Sequence, residues 1–192
     1  LDGKPVHRRN TREVAKIVGL LPQSTETPPG MTVIDLVGRG RSPHQSALQQ
    51  WSKHDQEIVE TALEQVGLSD VASRPLSDIS GGQRQRAWIA MVLAQETEIL
   101  LLDEPTTFLD LKYQIETLKL VARLQTERNL TVAMVLHDIN LAARFADHII
   151  ALRGGGIVTQ GAPKDVVTPD NISAIYDLEA RIIPGAAGET PY

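Results

Sequence analysis

The chain alternates between two hydrophobic patterns, and the change of pattern predicts its main elements. Short apolar, β-prone runs occur at residues 14–20, 99–102 and 130–136, and such runs are typical of strands covered on both faces. Between and after them, apolar residues recur at helical spacing. Strands that alternate with helices through short connections predict a parallel sheet with helices packed on it. The predicted fold class is therefore α/β.

The predicted helices have recognisable ends. Ser52 and Asp55 stand at capping-box spacing, at the start of a helix that Gly67 is expected to end. Asp110 is expected to cap a long helix, and Asp138 to begin a shorter one. The inward stripes of the first two helices are predicted to be Ile58, Val59, Ala62, Leu63 and Val66 in one, and Leu111, Ile115, Leu118, Val121 and Leu124 in the other.

The chain order also predicts a domain organisation. Residues 1–30 are assigned to a sheet core, 31–93 to an inserted helical subdomain, and 94–192 to the core again. Near the end of the second core segment, two strand-like runs flank Gly154-Gly155-Gly156 and predict a β-hairpin. The opening Leu1-Asp2-Gly3 reads like the end of a strand that enters a turn. We therefore expect an N-terminally truncated fragment that starts in mid-fold.

Composition narrows the class of protein. The 192 residues are 42% hydrophobic and 22% charged, which is typical of a globular protein. A net charge of −5 argues against nucleic acid as a partner. The absence of cysteine excludes disulfides, cysteine metal sites and thiol nucleophiles. The longest apolar run is far too short to cross a bilayer, so no direct membrane insertion is expected.

An acidic pair follows the second predicted strand. Asp103 and Glu104 leave the strand at the carboxyl edge of the sheet, where ligands bind in open α/β folds. Such a pair favours a positive partner, for which Mg²⁺ with a nucleotide is the usual choice. Asp103 would then hold the ion through water, and Glu104 would orient a water that attacks the γ-phosphate. The alternative is that Asp103 caps a loop and Glu104 is solvated, and the pair alone does not separate the two.

A second candidate site opens a helix. Ser80 and Gln83 stand at capping-box spacing, so one interpretation is simply a well-made helix start. However, Gly81 and Gly82 are more than a cap needs, and bare amides at a helix N-terminus suit phosphate. Arg84 and Arg86 in the first turns could add to this site. The alternative is that both are simply solvated, as arginines on a first turn usually are.

Taken together, these residues resemble the motifs of the ATP-binding cassette (ABC) proteins. Residues 79–83, followed by Arg84-Gln85-Arg86-Ala87, resemble the family's signature sequence, with Ile79 where the family usually has Leu. Three further motifs resemble the Q-loop, the D-loop and the switch histidine: Gln23, Phe108-Leu109-Asp110 and Leu136-His137-Asp138. Five features in one order at matching spacings favour the family over the separate alternatives.

The resemblance implies a RecA-like P-loop NTPase core with an inserted helical subdomain, and ATP and Mg²⁺ as cofactors. It implies that Glu104 and His137 are catalytic and that Asp103 and Gln23 meet Mg²⁺. The residues implied to bind ATP are Gln23, Ser80, Gly81, Gly82, Gln83 and Asp110. The implied partners are a second copy in a head-to-tail dimer and transmembrane permease subunits. The implied location is cytoplasmic, on the inner face of the cell membrane.

The stretch Gly38–His44 gives a hint about the substrate. Its Gly-Arg and Pro-His pieces resemble those of ATPases that power ferric-siderophore uptake, whose close relatives serve haem and vitamin B12. The string from Asp103 to Asp110 is similar to the same subgroup. The resemblance therefore implies import of a ferric siderophore or related metal chelate. The alternative is that Gly38–His44 is only a solvent-exposed basic loop.

One expected motif is absent from these residues, and two other functions stay open. The chain contains no Gly-Lys-Ser or Gly-Lys-Thr string, which a phosphate-binding loop needs and which the family places upstream of the turn matching Leu1-Asp2-Gly3. We therefore expect the fragment itself to bind ATP weakly and not to hydrolyse it. It could instead be a non-catalytic module that docks on permease or intact ATPase subunits. An ABC ATPase of DNA repair or chromosome maintenance is the more remote alternative, because the sequence lacks the sustained heptads of the long coiled coil in those proteins.

Overall fold

The computed structural model describes residues 1, 3–23, 28–46, 51–107 and 109–183. They form two compact units, Leu1–Val135 and Leu136–Tyr192. Residues 31–93 belong to the first unit together with the strands that precede and follow them. The boundaries of a separate helical subdomain stay a prediction. Across the described residues, none of the helices combines the length and the apolar character that a bilayer crossing requires.

The first unit contains a parallel sheet in the order β1 (Val18–Leu21), β2 (Ile99–Leu102) and β3 (Thr131–Met134). Leu21 is in register with Leu102, which is in register with Met134, so the carboxyl ends of the three strands coincide. The predicted α/β fold with a parallel sheet is confirmed.

Two strands are shorter than predicted. Residues expected to begin β1 instead lie in helix α1 (Thr11–Ala15), where the Asn10 side chain accepts a hydrogen bond from Arg12 N and caps the helix. Local capping therefore outweighs the β propensity of Val14. The third strand likewise covers only Thr131–Met134 rather than residues 130–136.

Helices α2 (Val33–Arg39), α3 (Lys53–Gln65), α4 (Gly81–Leu93) and α5 (Leu111–Arg128) complete the first unit. Short 3₁₀ turns lie at Val6–Arg8, Ser69–Val71 and Leu76–Asp78. The capping boxes predicted at Ser52/Asp55 and Ser80/Gln83 are both present. Gly67 follows α3 with φ of 67°, as its predicted role at the end of the helix requires.

The helices cover one face of this sheet. Leu21, Leu100 and Leu102 are at most 3% exposed in a core shared with the helices, whereas Leu20 and Leu101 on the opposite face are 55% and 36% exposed. Successive side chains of a strand point to opposite faces, so Leu101 lies on the exposed face while Leu100 and Leu102 lie in the core. The prediction that the 99–102 strand is covered on both faces is therefore wrong for this structure.

Helix α5 shows a similar difference between its ends. Leu118, Val121 and Leu124 are buried as predicted, but Leu111 is 64% exposed. The first residue of this helix therefore does not contribute to the core.

The second unit begins with α6 (Ile139–Phe145), which is followed by an antiparallel hairpin of β4 (Ile149–Arg153) and β5 (Gly156–Gly161). The predicted hairpin is confirmed, and Gly154 and Gly155 have the positive φ angles that its turn requires. Helices α7 (Pro163–Val166) and α8 (Pro169–Tyr176) complete the unit. Its small core is formed by Ala143, Ile149, Ala151, Val166 and Val167.

Candidate active site

The carboxyl edge of the parallel sheet carries the predicted Mg²⁺ ligands. Asp103 N donates a 2.8 Å hydrogen bond to Leu21 O, which ties the residue after β2 to the last residue of β1. Gln23 stands two residues beyond Leu21 at the same edge. The side chains of Gln23 and Asp103 are both exposed. The fold therefore brings an amide and a carboxylate to one edge of the sheet.

Glu104 has an unusual backbone conformation. Its φ of 50° lies in the left-handed region, which residues other than glycine rarely adopt. The side chain is half-buried, and its Oε2 accepts a 2.8 Å hydrogen bond from the Thr107 hydroxyl. The alternative of a merely solvated Glu104 does not fit this arrangement. Strained residues of this kind cluster at functional sites, and no sequence pattern indicated either the strain or Thr107.

The start of α4 combines a cap with an open glycine. Gln83 N donates to Ser80 Oγ at 3.2 Å, and Ser80 N donates to Gln83 Oε1 at 3.0 Å. A Cβ placed on Gly81 would meet no atom within 4 Å, whereas one on Gly82 would lie 2.9 Å from Tyr113 Cδ1. Gly82 is therefore required for packing against α5, which the sequence did not indicate. Gly81 has no such packing requirement among the residues that the structure describes.

The arginines that follow the glycines are not simply solvated. Arg84 is half-buried, and its Nε donates to Leu76 O at 3.2 Å. Arg86 is also half-buried, and its Nε is shielded from solvent without a hydrogen-bond partner among the described residues. The Arg84 guanidinium is therefore anchored beside the first turns of α4, whereas Arg86 is only partly shielded from solvent.

Asp110 occupies the N-cap position of α5 but does not cap it with its side chain. Its carboxylate accepts no hydrogen bond from the first-turn amides, so the predicted capping role is wrong. The Gln114 side chain ties this turn instead, by donating from Nε2 to Leu109 O at 3.0 Å. The Asp110 side chain is exposed. Phe108 of the predicted D-loop lies outside the described residues.

His137 follows β3 by three residues and belongs to the second unit. It is exposed, and its carbonyl oxygen lies 3.4 Å from the Tyr176 hydroxyl that donates to it. The next residue, Asp138, caps α6 by accepting hydrogen bonds from the amides of Asn140 and Leu141. The convergence of His137 with Glu104 stays a prediction.

The acidic edge of the sheet suits Mg²⁺ in its chemistry. Within the described ranges, no group of three or more His, Cys, Asp or Glu side chains could hold a metal ion by itself. Magnesium usually takes only one or two carboxylates and completes its shell with water and phosphate oxygens. The exposed carboxylate of Asp103 and the nearby amide of Gln23 are oxygen donors of the kind that such a site uses.

The Gly38–His44 segment is partly buried, with Gly40, Arg41 and Pro43 inside the protein. Arg41 is only 2% exposed and pairs with Asp55, whose own exposure is 7%. Burial raises the pKa of Asp55, but hydrogen bonds from Arg41 and Ser52 and the Arg41 charge outweigh this and lower the pKa to about 2. The alternative of a solvent-exposed basic loop is wrong at Arg41.

A cavity of about 320 Å³ opens beside the first turns of α4. It is lined by residues 28–31, by Leu76 and Ser77, and by Arg84. Its walls therefore join the segment that follows Gln23 to the helix that carries Ser80.

Comparison with known proteins decides the family. The family model described as ABC transporter matches residues 1–107, more than half of the chain, including the acidic pair and the signature residues. The chain belongs to the ABC transporter family. The resemblance seen in the sequence is confirmed. In general, this family uses ATP and Mg²⁺, and its ATP-binding subunits work as dimers with transmembrane permease subunits.

Individual ABC proteins are similar over almost the whole chain. The ferric enterobactin transport ATP-binding protein FepC of Escherichia coli is 51% identical over 191 residues, which cover 100% of this chain and 70% of that protein. The iron(3+)-hydroxamate import ATP-binding protein FhuC of Bacillus subtilis is 48% identical over 95% of this chain and 68% of its own length. The similarity to iron-chelate import ATP-binding proteins is thus confirmed.

Solved ABC structures share the fold. One structure, of a metal-chelate type ABC transporter in an inward-facing conformation, has a TM-score of 0.84 at 31% identity. The match covers 91% of this chain and 70% of that one. The structure of CbiO1 from Clostridium perfringens, part of the CbiONQ complex, has a TM-score of 0.72 at 25% identity. The predicted P-loop NTPase fold is therefore confirmed.

Proposed function

We propose that this chain belongs to the ATP-hydrolysing subunit that powers import of a ferric siderophore or related metal chelate. The observation that carries the proposal is the 51% identity to a ferric enterobactin transport ATP-binding protein across 100% of the chain. The siderophore-type pieces in Gly38–His44 and the acidic sheet edge support it. Both belong to the matched region, which extends over the whole described fold.

The roles of the site residues follow from their chemistry. Asp103 and Gln23 would hold the magnesium ion, which neutralises charge on the phosphates when it is bound. Glu104 would accept a hydrogen bond from the attacking water and hold it in line with the terminal phosphate. Its hydrogen bond from Thr107 limits the rotation of the carboxylate. His137 would contact the same phosphate from the loop before α6.

Two copies would pair head to tail, so that Ser80, Gly81, Gly82 and Gln83 of one copy face the nucleotide held by the other. The exposed and uncrowded backbone of Gly81 supports this arrangement. The positive end of the 13-residue helix α4 also favours an anion at this place. Asp110, exposed and not used as a cap, would lie at the same interface between the copies.

The cavity beside α4 would receive a segment of the transmembrane permease subunits. Its walls include residues 28–31 on one side and Arg84 of α4 on the other. A segment seated there would therefore contact both the chain that follows the Q-loop residue Gln23 and the helix that begins at the signature sequence. Docking of this kind would hold the subunit on the cytoplasmic, inner face of the cell membrane as a peripheral protein.

A polypeptide of these 192 residues alone would bind ATP weakly and not turn it over. The reason is that the chain contains no Gly-Lys-Ser or Gly-Lys-Thr string, and such a loop supplies the main amide cradle for phosphates. Calorimetric titration of this polypeptide with MgATP should therefore give no tight binding. Micromolar affinity would contradict this part of the proposal.

The test of the enzymatic role uses the protein as encoded by its complete gene. Glu104→Gln should lower ATP turnover by about 10²–10⁴-fold while ATP-dependent dimerisation persists, because the amide keeps the shape but loses the charge. Glu98→Gln is the matched control, since Glu98 is exposed and directly precedes β2, at the opposite end of the strand from Glu104. Unchanged turnover in Glu104→Gln would remove Glu104 from its assigned role.

The substrate is tested separately by uptake. Cells that lack the gene should lose accumulation of radioactive iron supplied as a ferric siderophore, and the parent gene should restore it. The Glu104→Gln gene should not. Normal accumulation of every ferric chelate in the deleted strain would contradict the proposed substrate class and leave the ATPase role standing.

A further inference from the structure

The C-terminal end of α4 is held by an unusual set of basic side chains. Three consecutive carbonyl oxygens each meet a side-chain nitrogen: Leu93 O lies 3.1 Å from Arg128 Nη1, Ala94 O 2.7 Å from Arg41 Nη1, and Gln95 O 2.8 Å from His44 Nε2. Carbonyls at a helix end lack partners within the helix, and positive charge is favourable there. This end of the helix is therefore fixed by groups distant in sequence.

Arg41 is the centre of this set. Its Nε donates to Asp55 Oδ1 at 2.8 Å, and its Nη1 donates to Glu96 Oε2 at 2.8 Å in addition to Ala94 O. The second oxygen of Asp55 accepts from the amide and the hydroxyl of Ser52 at the start of α3. One buried guanidinium thus connects the start of α3, the end of α4 and the turn that follows α4.

That turn leads directly to the acidic strand. Glu96 has φ of 54°, a conformation that requires support from its surroundings, and β2 begins three residues later. Asp103 and Glu104 then follow the last residue of β2. The contact of Arg41 with Glu96 therefore fixes the approach to the strand that presents the acidic pair.

Close packing keeps the Arg41 segment on the helix. A Cβ on Gly40 would lie 2.1 Å from Met91 O, so only glycine lets the chain approach the last turn of α4 so closely. Gly40 and Arg41 are both buried. The Gly38–His44 segment thus packs against the last turn of α4, the helix whose other end carries Ser80 and Gly81.

We infer that Arg41 is a positioning residue for ATP hydrolysis, which fixes α4 and the approach to β2 without touching the nucleotide. The inference rests on the proposed function. Helix α4 has 13 residues and is about 20 Å long, so a shift at its C-terminal end moves Ser80 and Gly81 as well. Displacements of about 1 Å at a reacting centre can lower rates by about 10²-fold.

The test compares Arg41→Met with Arg39→Met in the protein as encoded by its complete gene. Arg39 is an exposed arginine of the same segment. We expect Arg41→Met to lower kcat for ATP, per folded molecule, by about 10-fold to 100-fold with little change in KM. Arg39→Met should match the parent.

Two additions keep the outcome decisive. Arg41→Lys retains the charge but cannot reproduce the forked contacts of the guanidinium. It should therefore fold more readily than Arg41→Met and still have a lower kcat than the parent. Hydrogen exchange at the amides of Gln83 and Arg84, which donate to Ser80 Oγ and Ser80 O, should be faster in both Arg41 variants than in Arg39→Met. Parent-level turnover in folded Arg41→Lys, or unchanged exchange, would overturn the inference. If the parent itself does not hydrolyse ATP, the proposed function fails while the exchange experiment still decides whether Arg41 positions α4.

Discussion

The two ends of α4 are built in opposite ways. At the N-terminal end, Ser80 and Gly81 are exposed and the cap is formed by residues three positions apart. At the C-terminal end, buried Arg41 joins groups 14, 53 and 55 residues away in sequence. A rigid anchor at one end allows the other end to stay open for a ligand. Functional groups are commonly found on such open ends, which a stable scaffold supports.

The largest expected effect is loss of the buried anchor. Arg41→Met leaves the buried Asp55 carboxylate without its charged partner, and breaking such a pair lowers the free energy of unfolding by about 3–5 kcal/mol. Urea denaturation measures this change. Arg39→Met, on the exposed side of the segment, should stay within about 0.5 kcal/mol of the parent. Equal destabilisation by the two variants would contradict the difference between the ends of α4.

A pair of glycine substitutions compares the ends directly. Gly40→Ala forces a methyl group against Met91 O, and overpacking of this kind lowers the free energy of unfolding by about 1–3 kcal/mol. Gly81→Ala places its methyl group where no atom of the described residues lies within 4 Å, so the free energy of unfolding should be unchanged or higher by up to about 1 kcal/mol. Thermal unfolding checks both. Destabilisation by Gly81→Ala as large as that by Gly40→Ala would show that the N-terminal end is not open.

Acid should lower the free energy of unfolding through the anchored end of α4 and not through its open end. The pKa of Asp55 is lowered from 3.8 to about 2, so the folded state gains stability above the unfolded pKa and loses it as the pH falls from about 4 to about 2. The contribution is roughly 2 kcal/mol. Ser80 and Gln83 do not titrate, so their cap adds no such dependence. In Asp55→Asn the slope of unfolding free energy against pH should flatten in this window, and an unchanged slope would contradict the assignment.

The smallest effect is expected at the exposed cap. Ser80→Ala removes the acceptor for Gln83 N and should lower the free energy of unfolding by about 1 kcal/mol, as is usual for a lost N-cap. Ser80→Asn, which can still cap, should lose much less. Chemical denaturation of the two variants gives the difference. A loss of several kcal/mol would mean that this end is as deeply anchored as the other.

The same contrast explains how much could be predicted from sequence. The boxes at Ser52/Asp55 and Ser80/Gln83 depend on residues three positions apart, and the glycine turn of the hairpin is also local. The burial of Arg41, the packing of Gly82 against Tyr113 and the strained Glu104 depend on contacts that periodicity does not report. The family motifs could indicate candidate site residues because the order and spacing of motifs are linear features, and the roles of these residues stay predictions. The exposure of Leu101 and Leu111 was mispredicted because tertiary packing decides which positions are covered. The shorter β1 was mispredicted for a local reason, because the Asn10 cap places the first of its expected residues in α1.

The proposed head-to-tail dimer requires that the acidic edge of one copy and the start of α4 of the other act on the same nucleotide. Mixing two inactive variants of the protein as encoded by its complete gene tests it most directly. Glu104→Gln and Ser80→Arg should each abolish ATP turnover alone. A mixed head-to-tail dimer has one site with an intact Glu104 and an intact Ser80, so mixing should restore part of the turnover. No recovery in mixed dimers that demonstrably form would contradict the claim.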